Sequence, residues 1–193
     1  MRRGGSIFDM STMIMQQETT ALVEQFVDAA RTAAATVEVI DRDPAQLRDA
    51  ILAKAGDAQR ILFAPPQGLP AELFALFAAD PRVVTETDSE QMVHSPAGVT
   101  EAFAGVARTG SVCVDVNYQR TGIFSLIAPL HIAVLAAENI VPLPRDMFRR
   151  DVLGGQGLTR DFVFITGPSA TADMGPLVRG VHGPHRLHVI VVR

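Results

Sequence analysis

The sequence contains very little cysteine and very little lysine. Cys113 is the only cysteine among 193 residues, which excludes an intrachain disulfide and any zinc or iron–sulfur site built from several cysteines of this chain. Lys54 is the only lysine, so arginine supplies almost all of the positive charge. Arginine is the better partner for carboxylate and phosphate, because its planar fork binds them through two hydrogen bonds.

Other absences disfavour several kinds of partner. The formal net charge of −4 argues against a nucleic-acid surface, which needs clustered lysine and arginine. No apolar run approaches the roughly 18 residues of a membrane-spanning helix. The basic start Met1-Arg2-Arg3 is not followed by the apolar stretch of a signal peptide. We therefore expect a cytoplasmic protein without a membrane span.

Length and pattern predict one domain preceded by a flexible tail. Residues 1–16 begin with loop composition and contain several methionines, and we assign them to the tail. The remaining residues 17–193 are long enough and apolar enough for a single domain with one sizeable core. A helix from about Glu18 to Thr36 is expected to open this domain, because apolar residues recur there every three to four positions.

The first half of the domain alternates predicted strands and helices. Asp43 and Pro44 are typical of a helix start, and Gly56 is typical of a helix end. The predicted strands are 37–40, 60–64 and 83–85, and the predicted helices between them are 43–55 and 70–79. This alternation predicts an α/β fold with a largely parallel sheet and helices on its faces.

The second half is predicted to be richer in strands. Two apolar stretches around a polar turn in 103–117 are typical of a strand–turn–strand unit. We expect further strands at 123–129 and 131–135, a helix at 142–153 and a loop at 154–157. The runs 162–165 and 187–192 have no polar face, so we expect both to lie buried in the centre of the sheet.

A compact loop, Thr166-Gly167-Pro168-Ser169, follows the first of these two predicted central strands. Ligands of open α/β sheets bind beyond the carboxyl ends of strands, and a helix N-terminus offers free amides to an anion. The loop therefore fits a pocket floor that holds a carboxylate or phosphate. A capped helix without a ligand is the alternative, and on pattern alone it is the more common case.

Ser169, Asp173 and His182 form a set of hydroxyl, acid and imidazole. A nucleophilic triad is the sharpest hypothesis, but the strained Gly-x-Ser-x-Gly turn of such sites is missing. A metal site from the three histidines of 182–188 is also disfavoured, because Gly183-Pro184 excludes a regular helix and no matching cysteine or carboxylate ligands accompany the rings. His182 by itself suits acid–base chemistry, or is a loop imidazole bonded to a backbone carbonyl.

Three further features each have an ordinary alternative. Arg108-Thr109-Gly110 is a polar tip at which Arg108 suits an anionic ligand, although a solvated turn is the more frequent case. The run Gly154-Gly155-Gln156-Gly157 lacks the Lys-Ser/Thr of a phosphate loop and is predicted to be a linker. Cys113 stands between two valines and is predicted to be a small buried hydrophobe.

Five segments, in order and without large gaps over residues 60 to 193, resemble the LUD-domain family. They are Gly98-Val99-Thr100 through Ala107-Arg108-Thr109-Gly110-Ser111-Val112, Pro129-Leu130-His131-Ile132, Ile140-Val141-Pro142, Ile165-Thr166-Gly167-Pro168-Ser169 and Gly180-Val181-His182-Gly183-Pro184. Two positions depart from the family pattern, since the family usually has Glu in place of Arg108 and Asp in place of Phe103. Exchanging Glu for Arg reverses the charge, so a ligand held by that acid could not bind in the same way.

The resemblance implies a three-layer α/β/α fold with a largely parallel central sheet, similar to the sugar-isomerase and CoA-transferase superfamily. It also implies a part in oxidising L-lactate to pyruvate beside two iron–sulfur partner proteins. This chain would be the small, cluster-free component, an accessory or ligand-binding subunit. The alternatives are a stand-alone enzyme acting on a phosphorylated or CoA-linked small molecule, and a structural partner with a vestigial pocket.

The sequence identifies no catalytic residue and no cofactor, and it indicates no metal site. Our candidates for contacts to a small anionic ligand lie in the loops of the resembling segments. They are Thr109, Gly110, Gly167, Ser169, Asp173, Gly180, His182 and Gly183.

Overall fold

The chain is built around a six-stranded sheet in which neighbouring strands all run parallel. The computed structural model describes residues 7–149, 151–152, 161–171 and 175–193. Their strands are β1 (Thr36–Ile40), β2 (Ile61–Phe63), β3 (Val83–Val84), β4 (Ala97–Ala102), β5 (Ala104–Val106), β6 (Ser111–Asp115), β7 (Leu130–Ala136), β8 (Ile140–Val141), β9 (Phe162–Ile165), β10 (Ala170–Thr171), β11 (Val178–Arg179) and β12 (Arg186–Val192). The large sheet has the order β1-β12-β7-β4-β2-β3, which confirms the predicted parallel sheet.

Helices flank the sheet on both faces. They are α1 (Ile7–Thr32), α2 (Pro44–Ala55), α3 (Ala71–Ala78), α4 (Ser89–Val93) and α5 (Thr121–Ile127), with short 3-10 helices at Ala137–Asn139 and Pro144–Phe148. None of the helices in the described ranges has the length and apolar character needed to cross a membrane.

Alternate side chains of the central strands enter two separate cores. Ile132 and Ile190 point to one face, where they pack with Phe77 and the rest of the α2 and α3 core. Val191 points to the opposite face and packs with Phe26 of α1. Because strand side chains alternate between faces, both sides of the sheet are covered. The predicted three-layer α/β/α arrangement is confirmed.

Local signals in the first half place the helices where they were predicted. The Asp43 carboxylate accepts hydrogen bonds from the backbone amides of Ala45 (3.0 Å) and Gln46 (2.8 Å), which caps α2. Gly56 ends the helix with φ of +59°, a conformation that favours glycine. The predicted strand at 187–192 is also confirmed, since β12 lies between β1 and β7 and is buried from Leu187 onward.

A second sheet of four strands has the order β8-β5-β6-β9. β5 and β6 pair antiparallel, which confirms the predicted strand–turn–strand unit. The prediction that 162–165 lies in the centre of the large sheet is wrong, because β9 is an edge strand of this second sheet. Val163 and Phe164 are each 41% exposed. An apolar run without a polar face is typical of a central strand, but here aromatic neighbours rather than a second sheet layer cover part of it.

Several boundaries differ from the sequence-based expectation. The predicted strand at 123–129 is helix α5, because Phe124 packs beneath the helix against Leu62 and Met92 while Ile123 on the other side is exposed. The helix predicted for 142–153 is reduced to the 3-10 helix Pro144–Phe148. β4 was not predicted, and α1 starts at Ile7, inside the segment assigned to the tail. The loop predicted at 154–157 lies outside the described residues.

Candidate functional site

A cavity of about 750 Å³ opens at the carboxyl edge of the large sheet. One side is formed by the loop after β2, the end of β4 and the segment after β7. The other side is formed by the turn that follows β6, with Asp115, Asn117 and Tyr118. Ligands of parallel α/β sheets bind beyond the carboxyl ends of the strands. We therefore take this cavity as the candidate functional site.

Glu101, near the end of β4, is a buried carboxylate in the cavity wall and is only 7% exposed. Its Oε2 accepts hydrogen bonds from the backbone amides of Gln67 (2.5 Å) and Gly68 (2.9 Å), and its Oε1 accepts one from the amide of Leu69 (2.7 Å). A second bond from the Gly68 amide reaches Oε1 at 3.2 Å. Three consecutive amides thus converge on one carboxylate, which compensates the charge for its removal from water.

The turn after β6 presents hydrogen-bonding groups to the cavity. The Asp115 Oδ1 accepts bonds from the backbone amides of Asn117 (3.0 Å) and Tyr118 (3.1 Å), which fixes the turn through its own side chain. The Asn117 side-chain amide donates to the Asp161 carboxylate at 2.6 Å. These bonds orient Asn117 and Tyr118, both of which line the cavity.

Charged side chains at the rim form pairs. Arg149 donates from its Nη2 and Nε atoms to the two oxygens of Asp151, at 2.8 and 3.2 Å, and this bonding lowers the pKa of the Asp151 carboxyl. Glu138 is paired with Arg42. Arg149 is the one basic side chain among the described residues that line the cavity, and an anionic ligand would have to share it with Asp151.

The two departures from the family pattern occupy different places. Phe103 lines the cavity and contacts Phe162 edge-on, with ring centroids 5.6 Å apart. Arg108 is exposed at the turn between β5 and β6 and is not among the described residues of the cavity wall. An acid in place of Phe103 would thus lie in the cavity wall, whereas an acid in place of Arg108 would lie at a surface turn.

Two of the predicted contact residues, Gly110 and Gly167, pack against the carboxyl end of α1. A Cβ at Gly110 would lie 2.1 Å from the Ala30 backbone nitrogen, and a Cβ at Gly167 would lie 1.9 Å from the Ala33 carbonyl oxygen. Both glycines have positive φ, +64° at Gly110 and +69° at Gly167. Thr109 hydrogen-bonds through its hydroxyl to Ser111 at 2.7 Å. Close helix packing thus explains the glycines without reference to a ligand.

A second group of predicted residues lies near the amino edge of the large sheet. Ser169 donates its backbone amide to the Pro184 carbonyl and accepts, through its own carbonyl, the amide of Gly180, both at 2.9 Å. A Cβ at Gly183 would lie 3.2 Å from the Ser169 Cβ. The chain then enters β12, where the Arg186 amide bonds to the Pro129 carbonyl just before β7. These loops and the cavity therefore lie at opposite ends of the parallel strands.

The remaining predictions about these loops have mixed outcomes. The alternative of a capped helix after Ser169 is wrong, because Ala170–Thr171 is strand β10, paired antiparallel with β11. His182 is exposed. Asp173 lies outside the described residues. Ligand contacts by Ser169, Asp173, His182 and the loop glycines stay a prediction.

Two other histidines are buried inside the large sheet. His131 hydrogen-bonds through Nε2 to the Thr100 hydroxyl at 2.9 Å, and His188 through Nδ1 to the Thr36 hydroxyl at 2.7 Å. Burial lowers the pKa of each to about 4, with nearby Lys54 adding to the effect at His188. Both rings are therefore neutral near pH 7. Within the described ranges, no group of three or more His, Cys, Asp or Glu side chains is arranged to hold a metal ion.

Sequence reasoning missed Glu101, Asp115 and Tyr118. A signal for this edge was nevertheless available, since the loop 64–69 follows a strand that was predicted correctly. The rule that places ligands beyond strand ends applies there as it does after residue 165. The capture of Glu101 by this loop depends on two strands being adjacent, and no local pattern reveals that.

Comparison with known proteins identifies a matching family model and several relatives of the chain. A model of the LUD domain matches residues 16–192. Lactate utilization protein C of Deinococcus radiodurans is 31% identical over 153 residues, which are 77% of this chain and 69% of that protein. Lactate utilization protein C of Bacillus subtilis is 31% identical over 99 residues, covering 49% of this chain and 41% of that protein. Lactate utilization protein B of Bacillus pumilus is 30% identical over 111 residues, covering 53% of this chain but only 21% of that protein.

A solved structure shares the fold. The crystal structure of a DUF162 family protein from Deinococcus radiodurans superposes with a TM-score of 0.68 and 23% sequence identity. The superposition covers 91% of this chain and 98% of that one. The arrangement of strands and helices is therefore common to both proteins.

Proposed function

The chain belongs to the LUD-domain family, as its sequence segments indicated, and from that premise we propose that it is the cluster-free, ligand-binding component of an L-lactate utilization system. Relatives named lactate utilization proteins B and C support a role in lactate utilization. We further propose that the system oxidises lactate to pyruvate in the cytoplasm, with iron–sulfur partner proteins carrying the electrons.

The cavity at the carboxyl edge of the large sheet is the observation that carries the ligand-binding role. It combines one guanidinium, Arg149, with the side-chain amides of Asn117 and Asn139 and the hydroxyl of Tyr118. A small hydroxy acid presents a carboxylate and a hydroxyl, which these groups can bind through hydrogen bonds. The volume of about 750 Å³ is within the range of small-molecule pockets, roughly 300–1,000 Å³.

The chemistry of Cys113 supports a partner as the carrier of any cluster. Its side chain is fully buried beside Met147, with the two sulfur atoms 3.7 Å apart, and burial raises the pKa of the thiol to about 12. Iron–sulfur clusters are bound by several thiolates. A single buried thiol that stays protonated does not fit such a site, so this chain cannot hold a cluster by itself.

A stand-alone enzyme acting on a phosphorylated or CoA-linked molecule is the alternative, and the polar cavity is compatible with it. Turnover by the purified chain alone would favour the alternative. Co-purification of iron–sulfur proteins with the tagged chain from lactate-grown cells would favour the proposed subunit.

Growth on L-lactate tests the proposal. We expect deletion of the gene to abolish growth on L-lactate and leave growth on pyruvate intact, and a plasmid copy to restore it. Arg149→Ala should restore growth poorly because it removes the cation of the cavity wall. Arg145→Ala is the matched control, since Arg145 is exposed on the neighbouring 3-10 helix and is not among the described lining residues.

The same assay separates the two ends of the strands. Ser169→Ala and His182→Ala alter the loops near the amino edge, and loss of growth in these variants with folding intact would assign the ligand to those loops. Unchanged lactate growth in the deletion strain would refute the proposed function altogether.

A further inference from the structure

The amides of Gln67, Gly68 and Leu69 form a receptor for a carboxylate. All three point toward one group, the Glu101 carboxylate, at distances between 2.5 and 3.2 Å. Successive backbone amides that converge in this way make a concave site for an anion. The missing side chain at Gly68 contributes, because a Cβ there would lie 3.0 Å from the Glu101 Oε1 atom. The loop is thus shaped to admit an oxygen pair close to its backbone.

The receptor opens into the proposed ligand cavity. Gln67, Gly68 and Glu101 line the cavity, as Arg149 does. A small anion inside the cavity therefore has two kinds of favourable partner, a guanidinium and the three amides. Each partner already binds a carboxylate of the protein, since Arg149 bonds to Asp151 and the amides bond to Glu101.

Glu101 and a ligand anion cannot use the same amides at the same time. Each N–H has one hydrogen, and the four bonds to Glu101 engage all three of them. Glu101 is the last residue but one of β4 and lines the cavity, so rotation about its side-chain torsions is the movement that would release the amides. Binding of an exogenous anion and release of Glu101 are therefore coupled.

We propose that the amides of residues 67–69 are a binding site for the carboxylate or phosphate group of a small ligand, and that Glu101 occupies this site when the ligand is absent. This inference deepens the proposed function, since it assigns a ligand class and a second anchoring point to the same cavity. Glu101 is then an internal competitor. It weakens the binding of anions that make no contact in the cavity other than with these amides.

Removal of Glu101 tests the competition. The variant Glu101→Ala empties the receptor, and Glu138→Ala is the matched control because it removes the same side chain from the same cavity wall, where Glu138 pairs with Arg42 rather than with amides. Acetate, L-lactate and inorganic phosphate are titrated into each protein at constant ionic strength. The backbone amide signals of residues 67–69 are followed by NMR, and the midpoint of thermal unfolding is measured in parallel.

We expect Glu101→Ala to bind at least one of these anions about tenfold or more tightly than the wild type, since charge-assisted bonds to three amides become available. The signals of residues 67–69 should shift in a saturable way, and the unfolding midpoint should rise with anion concentration more than in the wild type. Glu138→Ala should show neither gain. A preference for acetate and lactate identifies a carboxylate ligand, and a preference for phosphate identifies a phosphorylated one.

A folded Glu101→Ala protein whose 67–69 signals do not respond to any of the three anions would overturn the proposal. Equal binding by wild type and variant would also overturn it, because Glu101 would then not compete. If Glu101→Ala does not fold, Glu101→Gln removes the charge and replaces one acceptor oxygen with an NH2 group that cannot accept from the amides. This weaker competitor should raise the affinity for at least one of the anions above that of the wild type, and an unchanged affinity would overturn the proposal. Since these measurements use purified protein, they can succeed even if growth on lactate proves independent of the gene, and the two failures are distinguishable.

Discussion

Replacing Gly167 with alanine should destabilise the fold more than a backbone penalty alone allows. Gly167 has φ of +69°, and an alanine held there costs about 1–2 kcal/mol. The new Cβ would also lie 1.9 Å from the Ala33 carbonyl oxygen, whereas real Cβ contacts under 3.0 Å are essentially never seen. The loop must therefore move away from α1 by more than an ångström, and such overpacking costs about 1–3 kcal/mol. The sum is a loss of about 2–5 kcal/mol of unfolding free energy.

Gly56 provides the matched control. It also has positive φ, +59°, but a Cβ there would meet no atom within 4 Å, so Gly56→Ala should cost only the backbone penalty. Urea unfolding followed by circular dichroism gives both free energies. If Gly167→Ala loses no more than the roughly 1–2 kcal/mol of its backbone penalty, the assigned contact with α1 is wrong.

Three further predictions concern the cap, a buried histidine and the thiol. Asp43→Ala removes the two bonds to the first amides of α2 and should cost about 0.5–2 kcal/mol in the same urea assay, while a change below that range would contradict the cap. The pKa of His131 is about 4 in the folded chain and 6.5 when unfolded, so the unfolded state binds the proton more readily below pH 6.5. Stability should thus fall as the pH drops from about 6.5 to 4, by up to about 3 kcal/mol from this residue, and His131→Gln should flatten that dependence. Cys113 should react with a thiol reagent only after unfolding, because it is buried and its pKa is raised to about 12; rapid labelling of the native protein would refute this.

The sequence predicts those parts of the large sheet and its helices whose start and end are determined by neighbouring residues. Asp43, Gly56 and the strand–helix alternation carry their own signals, since caps and turns depend on the residues next to them. It fails where tertiary contacts decide. The apolar segment at 121–127 is a helix because Phe124 finds a pocket beneath it, and the equally apolar β9 is an edge strand because β6 lies next to it. Periodicity cannot distinguish these outcomes in runs of four to seven residues.

The candidate site was harder to predict than the fold. Its walls come from the loop after β2, the end of β4 and the turn after β6, which are distant in sequence. Glu101 sits in a strand of small residues, and nothing around it in the sequence indicates that three amides from residues 67–69 will bind it. Such contacts follow from the order of strands in the sheet, which the sequence does not specify locally.

The predicted contact residues Ser169, Gly180 and Gly183 lie at the opposite end of the parallel strands from the cavity, and close packing accounts for several of the loop glycines. Gly110 and Gly167 sit against the backbone of α1, and Gly183 sits against Ser169, so a side chain at the first two positions would force the loops apart. These constraints arise from packing within the chain and do not require a ligand. Phe103, at a position where we expect the family to have an acid, lies in the cavity wall, whereas Arg108 does not. An aromatic ring at that position adds no charge to a wall that holds the acids Glu101, Asp115, Glu138 and Asp151 and the single base Arg149. Because four acids repel an incoming carboxylate, the anion site that we propose depends on the backbone amides of residues 67–69.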